Sequence, residues 1–118
     1  MNAVLPNETP LPYLVAINVT RRCNLSCAHC YLDATQRWKA QSDELGQRDL
    51  APVFAELGLH APGTIVVLTG GEPMLFAELI PLSAGLREQG RHITIETAGT
   101  LYLPVECDLM SISPKLAN

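Results

Sequence analysis

No run of basic residues occurs in this 118-residue chain. Arg21 and Arg22 are only a pair, and the net charge is −4. That balance offers nothing to grip a nucleic-acid backbone or an anionic membrane surface. No apolar stretch approaches the ~18 residues of a membrane span. The first twelve residues carry three prolines and no apolar run of the kind a signal peptide needs. We therefore expect a soluble, cytoplasmic protein, in a reducing compartment where cysteines hold metal or do chemistry rather than pair as disulfides. Internal repeats and low-complexity segments are absent too. Hydrophobic residues make up 47% of the chain, enough for one domain with one modest core.

Cysteine is scarce, but it is concentrated. Three of the four fall in one stretch, as Cys23, Cys27 and Cys30, with no fourth nearby. The spacing is C-x3-C-x2-C. Three thiolates on one loop can hold three corners of a cubane iron–sulfur cluster, which normally takes four cysteines. The fourth iron then stays open, and an open coordination position separates a working metal site from a structural one. The other reading is a zinc site or buried thiols. Zinc would need His29 or Cys107 as a fourth ligand, and its structural ligands usually come as two close pairs rather than one triplet.

Residues 1–13 read as an irregular lead-in and residues 14–118 as one domain. Leu14–Thr20 is a short apolar, β-branched run suited to a strand buried on both faces. Leu50, Val53, Phe54 and Leu57 make one helical stripe, with Asp49 as N-cap, Pro52 in the first turn and Gly58 as the stop. Thr64–Thr69 reads as a second strand. Leu75, Leu79, Leu82 and Leu86 form another stripe, which Pro81 should kink and Gly90 should end. His92–Thr97 and Leu109–Ser113 read as the third and fourth strands. Strands alternating with amphipathic helices predict an α/β fold with a parallel sheet.

The polar and glycine-rich clusters all follow strands. Cys23–Cys30, Gly70–Pro73, Glu96–Thr100 and Ser113–Lys115 should therefore line one rim, at the C-terminal edge where parallel α/β sheets bind ligands.

Cys23-x3-Cys27-x2-Cys30 followed by Gly70-Gly71-Glu72-Pro73 resembles the two leading motifs of the radical S-adenosylmethionine (SAM) superfamily. The resemblance implies a partial (βα) barrel, here cut to about four strands, the front half of that core. It implies a [4Fe–4S] cluster on Cys23, Cys27 and Cys30, with SAM on the open iron. It also implies a reductant such as flavodoxin or ferredoxin, and a 5′-deoxyadenosyl radical that takes hydrogen from a small-molecule substrate. By the same resemblance His29 stands beside the SAM adenine, and Gly70 and Gly71 let the backbone approach the SAM methionine. Glu72 serves the SAM ammonium group, directly or by ordering its loop, and Pro73 stiffens the exit. For His29 the ordinary reading is a simple loop histidine, and for the glycines an ordinary tight turn.

The strings Ile-Glu-Thr-Ala-Gly-Thr and Ser-Ile-Ser-Pro-Lys resemble the 7-carboxy-7-deazaguanine synthase branch, lyases of queuosine biosynthesis acting on a small heterocycle. There Glu96, Thr97, Ser113 and Lys115 would lie at the SAM ribose and carboxylate. Against this stands a plain reading of Glu96 and Lys115 as solvated surface charges. The branch's Gln-Gly-Glu-Gly stretch is missing. Its magnesium-linked Cys-Asp-Thr is also missing, with Asp33 and Thr35 the only displaced counterpart for Mg2+. Asn18–Tyr31 resembles instead the members that modify peptides or tetrapyrroles. A truncated cluster-binding module without turnover is the third reading. An exposed last strand would be a pairing edge, which admits a homodimer.

Overall fold

A computed structural model describes residues 10–23 and 45–114. Four strands run in the order β1 (Leu14–Thr20), β2 (Ile65–Gly70), β3 (Ile93–Thr97) and β4 (Leu109–Ile112), and every neighbouring pair is parallel. Helix α1 (Gln47–His60) lies in the connection between β1 and β2, and α2 (Leu79–Glu88) in that between β2 and β3. This is the α/β arrangement the alternating pattern predicts, and the strand limits agree to within a residue.

The apolar stripes of α1 and α2 pack on one face of the sheet. Leu50 and Phe54 of α1, Leu79, Leu82 and Leu86 of α2, and Val66, Leu68, Ile93 and Ile95 of the strands form one buried cluster. The opposite face carries no helix among the described residues. Leu14 is 48% exposed and Leu109 54%. Burial on both faces, expected for β1, is therefore not observed. Both helices lie on the same side, as they do when strands curve toward a barrel whose interior faces away from the helices.

Three helix details differ from expectation, two of them through contacts distant in sequence. α1 begins three residues early, with Gly46 rather than Asp49 as N-cap, because the Glu78 carboxylate accepts from the Gln47 amide at 2.8 Å. Asp49 thus sits in the first turn, where it takes the Gly46 amide at 2.9 Å, and Pro52 falls inside the helix. Gly58 does not stop α1. The helix continues to His60, and the carbonyl of its cap residue, Ala61, receives Arg91 Nη1 at 2.6 Å. Leu75 belongs to a short 3-10 turn, Pro73–Leu75, so α2 starts only at Leu79. Pro81 then lies in the first turn, where its missing N–H breaks no bond, and no kink is required. Gly90 ends α2 as expected. Its φ is +73°, with Gly90 N donating to Arg87 O at 2.9 Å and Arg91 N to Leu86 O at 3.2 Å.

No helix connects β3 to β4. Residues 98–108 cross over as an extended strap whose Leu101, Leu103, Val105 and Cys107 pack on the core, while Tyr102, Pro104 and Glu106 face solvent. That period of two is strand-like. Ser83, fully buried on α2, pins the strap by accepting from the Glu106 amide at 3.0 Å.

Candidate functional site

Because all four strands are parallel, their C-terminal ends share one edge. Cys23 lies there, buried, just beyond β1. Gly70–Pro73 leaves β2, Thr97–Gly99 leaves β3 and Ser113 leaves β4 at the same edge. Cys27, His29, Cys30 and Lys115 lie outside the described residues, as do Asp33 and Thr35.

The two glycines have a local reason to be glycine. A Cβ at Gly70, where φ is +140°, would sit 2.5 Å from the Thr20 carbonyl oxygen, and one at Gly71 would run into the Arg22 carbonyl. The backbones are this close because they are bonded. Gly71 N donates to Thr20 O at 2.8 Å and Glu72 N to Arg22 O at 2.7 Å. The glycine pair therefore presses against the chain entering the cysteine loop. This contact leaves no local signal in the sequence, because the backbone neighbour lies about 50 residues away.

Glu72 is 1% exposed. Its Oε2 accepts from Thr97 Oγ1 at 2.6 Å and from Met74 N at 3.1 Å, and its Oε1 from Ala98 N at 2.9 Å. Thr97 is buried too, and its Oγ1 accepts from Gly99 N at 3.1 Å. Pro73 is buried in the 3-10 turn that follows. Thr20 adds a further tie that sequence reading did not single out, its hydroxyl accepting from Arg22 N at 3.0 Å. Ser113 donates its backbone N–H to the Thr97 carbonyl at 2.9 Å, leaving its side chain exposed.

Below the rim, the helix-free face of the sheet forms an open cavity of about 470 Å³. Ala16, Val67 and Leu109 give it an apolar floor, and Thr94, Glu96 and Ser111 add polar groups. Strand register explains the division. Asn18 pairs with Thr69 and Glu96 with Ser111, and Thr69 stands one step beyond the Leu68–Ile95 pair. These four residues make a polar row nearest the rim. Period-two reading of β1 and β3 together could have found it, given the register.

Cys107, His92 and Asp108 lie at the opposite edge. The Asp108 carboxylate accepts from Ile93 N at 2.8 Å and pairs with Arg87 at 2.8 Å. The Ile93 amide first, then the Arg87 guanidinium, hold its carboxyl below the usual value. Burial pushes the Cys107 thiol up. A strand of five residues spans ~16 Å, so Cys107 is no fourth ligand for a metal at Cys23.

A parallel α/β sheet, helices on one face, and Cys23 meeting a glycine turn at its C-terminal edge are the arrangement of a partial-barrel protein. The profile of the Radical SAM superfamily matches residues 17–113, and the chain belongs to that superfamily. It is 41% identical over 97 residues to the 7-carboxy-7-deazaguanine synthase of Rhodopirellula baltica, covering 82% of this chain and 36% of the relative. It is 36% identical over 88 residues to the Fe-coproporphyrin III synthase of Methanosarcina barkeri, covering 75% of this chain and 21% of the relative. The crystal structure of QueE from Escherichia coli superposes with a TM-score of 0.63 at 26% identity, covering 87% of this chain and 51% of that one. The chain thus spans about a third of the length of the synthase and about half of the solved structure.

Membership of this family implies a [4Fe–4S] cluster and SAM. The donor set fits the cluster. Thiolates are its usual ligands, and Cys23 follows directly on the segment that Gly71 and Glu72 hold in place. No helix among the described residues is long and apolar enough to cross a membrane.

Proposed function

We propose that the chain provides the cofactor-binding part of a radical SAM enzyme acting on a small heterocycle, as 7-carboxy-7-deazaguanine synthases do. The observation that carries this reading is the set of backbone bonds joining Gly71 and Glu72 to Thr20 and Arg22, next to Cys23. It brings the two family motifs into one frame. Cys23, Cys27 and Cys30 would hold the cluster, which would supply the electron for reductive cleavage of bound SAM. Gly70–Pro73 forms the wall beside the SAM methionine. His29 would serve the adenine and Lys115 the carboxylate. Glu96 and Ser113 offer polar groups to the ribose from the open face, and Thr97 holds the turn next to them. The apolar floor beneath offers a planar substrate a surface to lie on. A flavodoxin- or ferredoxin-type reductant and a homodimer through the β4 edge complete the proposal.

A second reading, tetrapyrrole or peptide modification, is favoured by the likeness to the Methanosarcina barkeri enzyme and by residues 18–31. Anaerobic reconstitution with iron and sulfide, then SAM and dithionite, tests the common core. Broad absorbance near the visible and release of 5′-deoxyadenosine are expected, and their absence overturns it. Incubation with a pterin-like heterocycle or an iron porphyrin precursor, followed by mass spectrometry, separates the two readings.

A further inference from the structure

We propose that Glu72 is a positioning residue that ties three strand ends into one frame and acts on SAM through that frame, with no direct contact. The inference deepens the function proposed above and rests on it for its cofactor.

Glu72 works in two directions. Its backbone amide holds the Arg22 carbonyl at 2.7 Å, fixing the chain just before Cys23. Its side chain reaches the other way, to Thr97 Oγ1 at 2.6 Å and Ala98 N at 2.9 Å, just past the end of β3. The bond to Met74 N at 3.1 Å fixes its own turn. One residue therefore joins the exits of β1, β2 and β3. The Ala98 amide lies where the sheet ladder has ended, so the carboxylate carries the connection past the last strand pair.

The chemistry of the contacts selects a carboxylate. Met74 N and Ala98 N can only donate, and the Thr97 hydroxyl already accepts from Gly99 N at 3.1 Å. A carboxylate is acceptor-only on both oxygens and satisfies all three. A carboxamide presents –NH2 to a donor in either orientation, against Ala98 N in one and against Met74 N in the other. Burial to 1% exposure leaves no open side of the carboxylate for a ligand's ammonium group. The motif's acid is thus spent inside the protein, and what it offers a cofactor is the position of the backbone around it.

A carboxylate that only stabilised the fold would lower thermal stability and leave the folded protein's affinity for SAM unchanged. The frame predicts more. Glu72→Gln and Thr97→Val are compared with Ser83→Ala, a buried change under the strap that loosens the fold away from the rim. In cluster-free protein, hydrogen exchange at Ala98 and Gly99 speeds up about tenfold in the two rim variants and not in Ser83→Ala. In reconstituted protein, iron content stays at the wild-type level. SAM is bound about tenfold more weakly by the rim variants, and the SAM-dependent change in the reduced cluster's electron paramagnetic resonance spectrum needs correspondingly more SAM.

Wild-type exchange at Ala98 in Glu72→Gln overturns the frame. Faster exchange with SAM affinity no weaker than in Ser83→Ala reduces Glu72 to a fold-stabilising residue and overturns the positioning role. Should Glu72→Gln not fold, Thr97→Val removes the hydroxyl that joins Glu72 to Gly99 N and carries the same two readouts, with exchange read at Ala98. If the wild-type protein takes up no cluster, the proposed function falls and the cofactor half of this proposal with it. The exchange arm then decides the frame alone.

Discussion

The Gly71 amide donates to the Thr20 carbonyl at 2.8 Å, so the turn after β2 continues the β1–β2 ladder up to the cysteine loop. A side chain at 71 would meet the Arg22 carbonyl. Gly71→Ala must therefore push the two backbones apart. Overpacking of this kind costs about 1–3 kcal/mol, and the strain falls next to Cys23. We expect lower stability in urea and reduced iron uptake on reconstitution. A variant with wild-type iron content and an unchanged urea midpoint would show that the turn yields without moving the loop.

Arg91 is a cation buried to 2% exposure. Its Nη1 donates to Ala61 O at 2.6 Å and Thr64 O at 3.2 Å, while Nε and Nη2 meet no acceptor among the described residues. The end of α1 carries partial negative charge that favours a cation there. Arg91→Ala removes the donor and leaves a cavity, so a loss of about 2–4 kcal/mol is expected. Arg91→Met also removes the unpaired nitrogens but fills most of the volume, so its cost should be smaller by about 1 kcal/mol. Urea titration of both variants checks the order. Equal losses would mean that volume contributes nothing.

The elements legible in the chain were those whose signal is local. β1 to β4 announce themselves by β-branched runs, and Gly90 by its place after an apolar stripe. What stayed hidden depends on pairs distant in sequence. Glu78 sets the start of α1 through Gln47, and no pattern near Gln47 says so. The side-chain bonds of Glu72 left no local sign because its partners, Thr97 and Ala98, lie at the end of β3 and just past it. The strap carries no helical period, so residues 98–108 gave no element at all. The rim itself was legible because parallel topology places every strand exit on one edge, whatever the contacts there.

Asp108 brackets the start of β3, its carboxylate on the Ile93 amide and its own amide on the Ile93 carbonyl at 2.8 Å. Its folded-state pKa is depressed, first by the Ile93 amide and then by Arg87. A depressed carboxyl contributes stability that is complete above its unfolded value, about 3.9, and is lost as pH falls through the folded value. Wild-type protein should therefore lose stability below about pH 4 more steeply than Asp108→Asn. Urea midpoints between pH 3 and 6 give the comparison. Parallel curves would remove Asp108 from the acid limb.

The last contrast concerns the two described cysteines. Cys23 follows β1 at the C-terminal edge, and Cys107 precedes β4 at the N-terminal edge. The strands between them hold these edges about 16 Å apart, far beyond the ~2.3 Å of a metal–thiolate bond. Cys23→Ser should therefore lower iron bound after reconstitution at least severalfold, since it replaces a soft thiolate with a hydroxyl and leaves two of three corners. Cys107→Ser should retain wild-type iron, and its half-buried side chain against the core limits the change to stability. Colorimetric iron and sulfide analysis of the two variants, prepared together, decides the matter. Iron loss in Cys107→Ser equal to that in Cys23→Ser would place both thiols at one site, which this sheet does not permit. Retention of iron in Cys23→Ser would remove the cluster from the loop after β1.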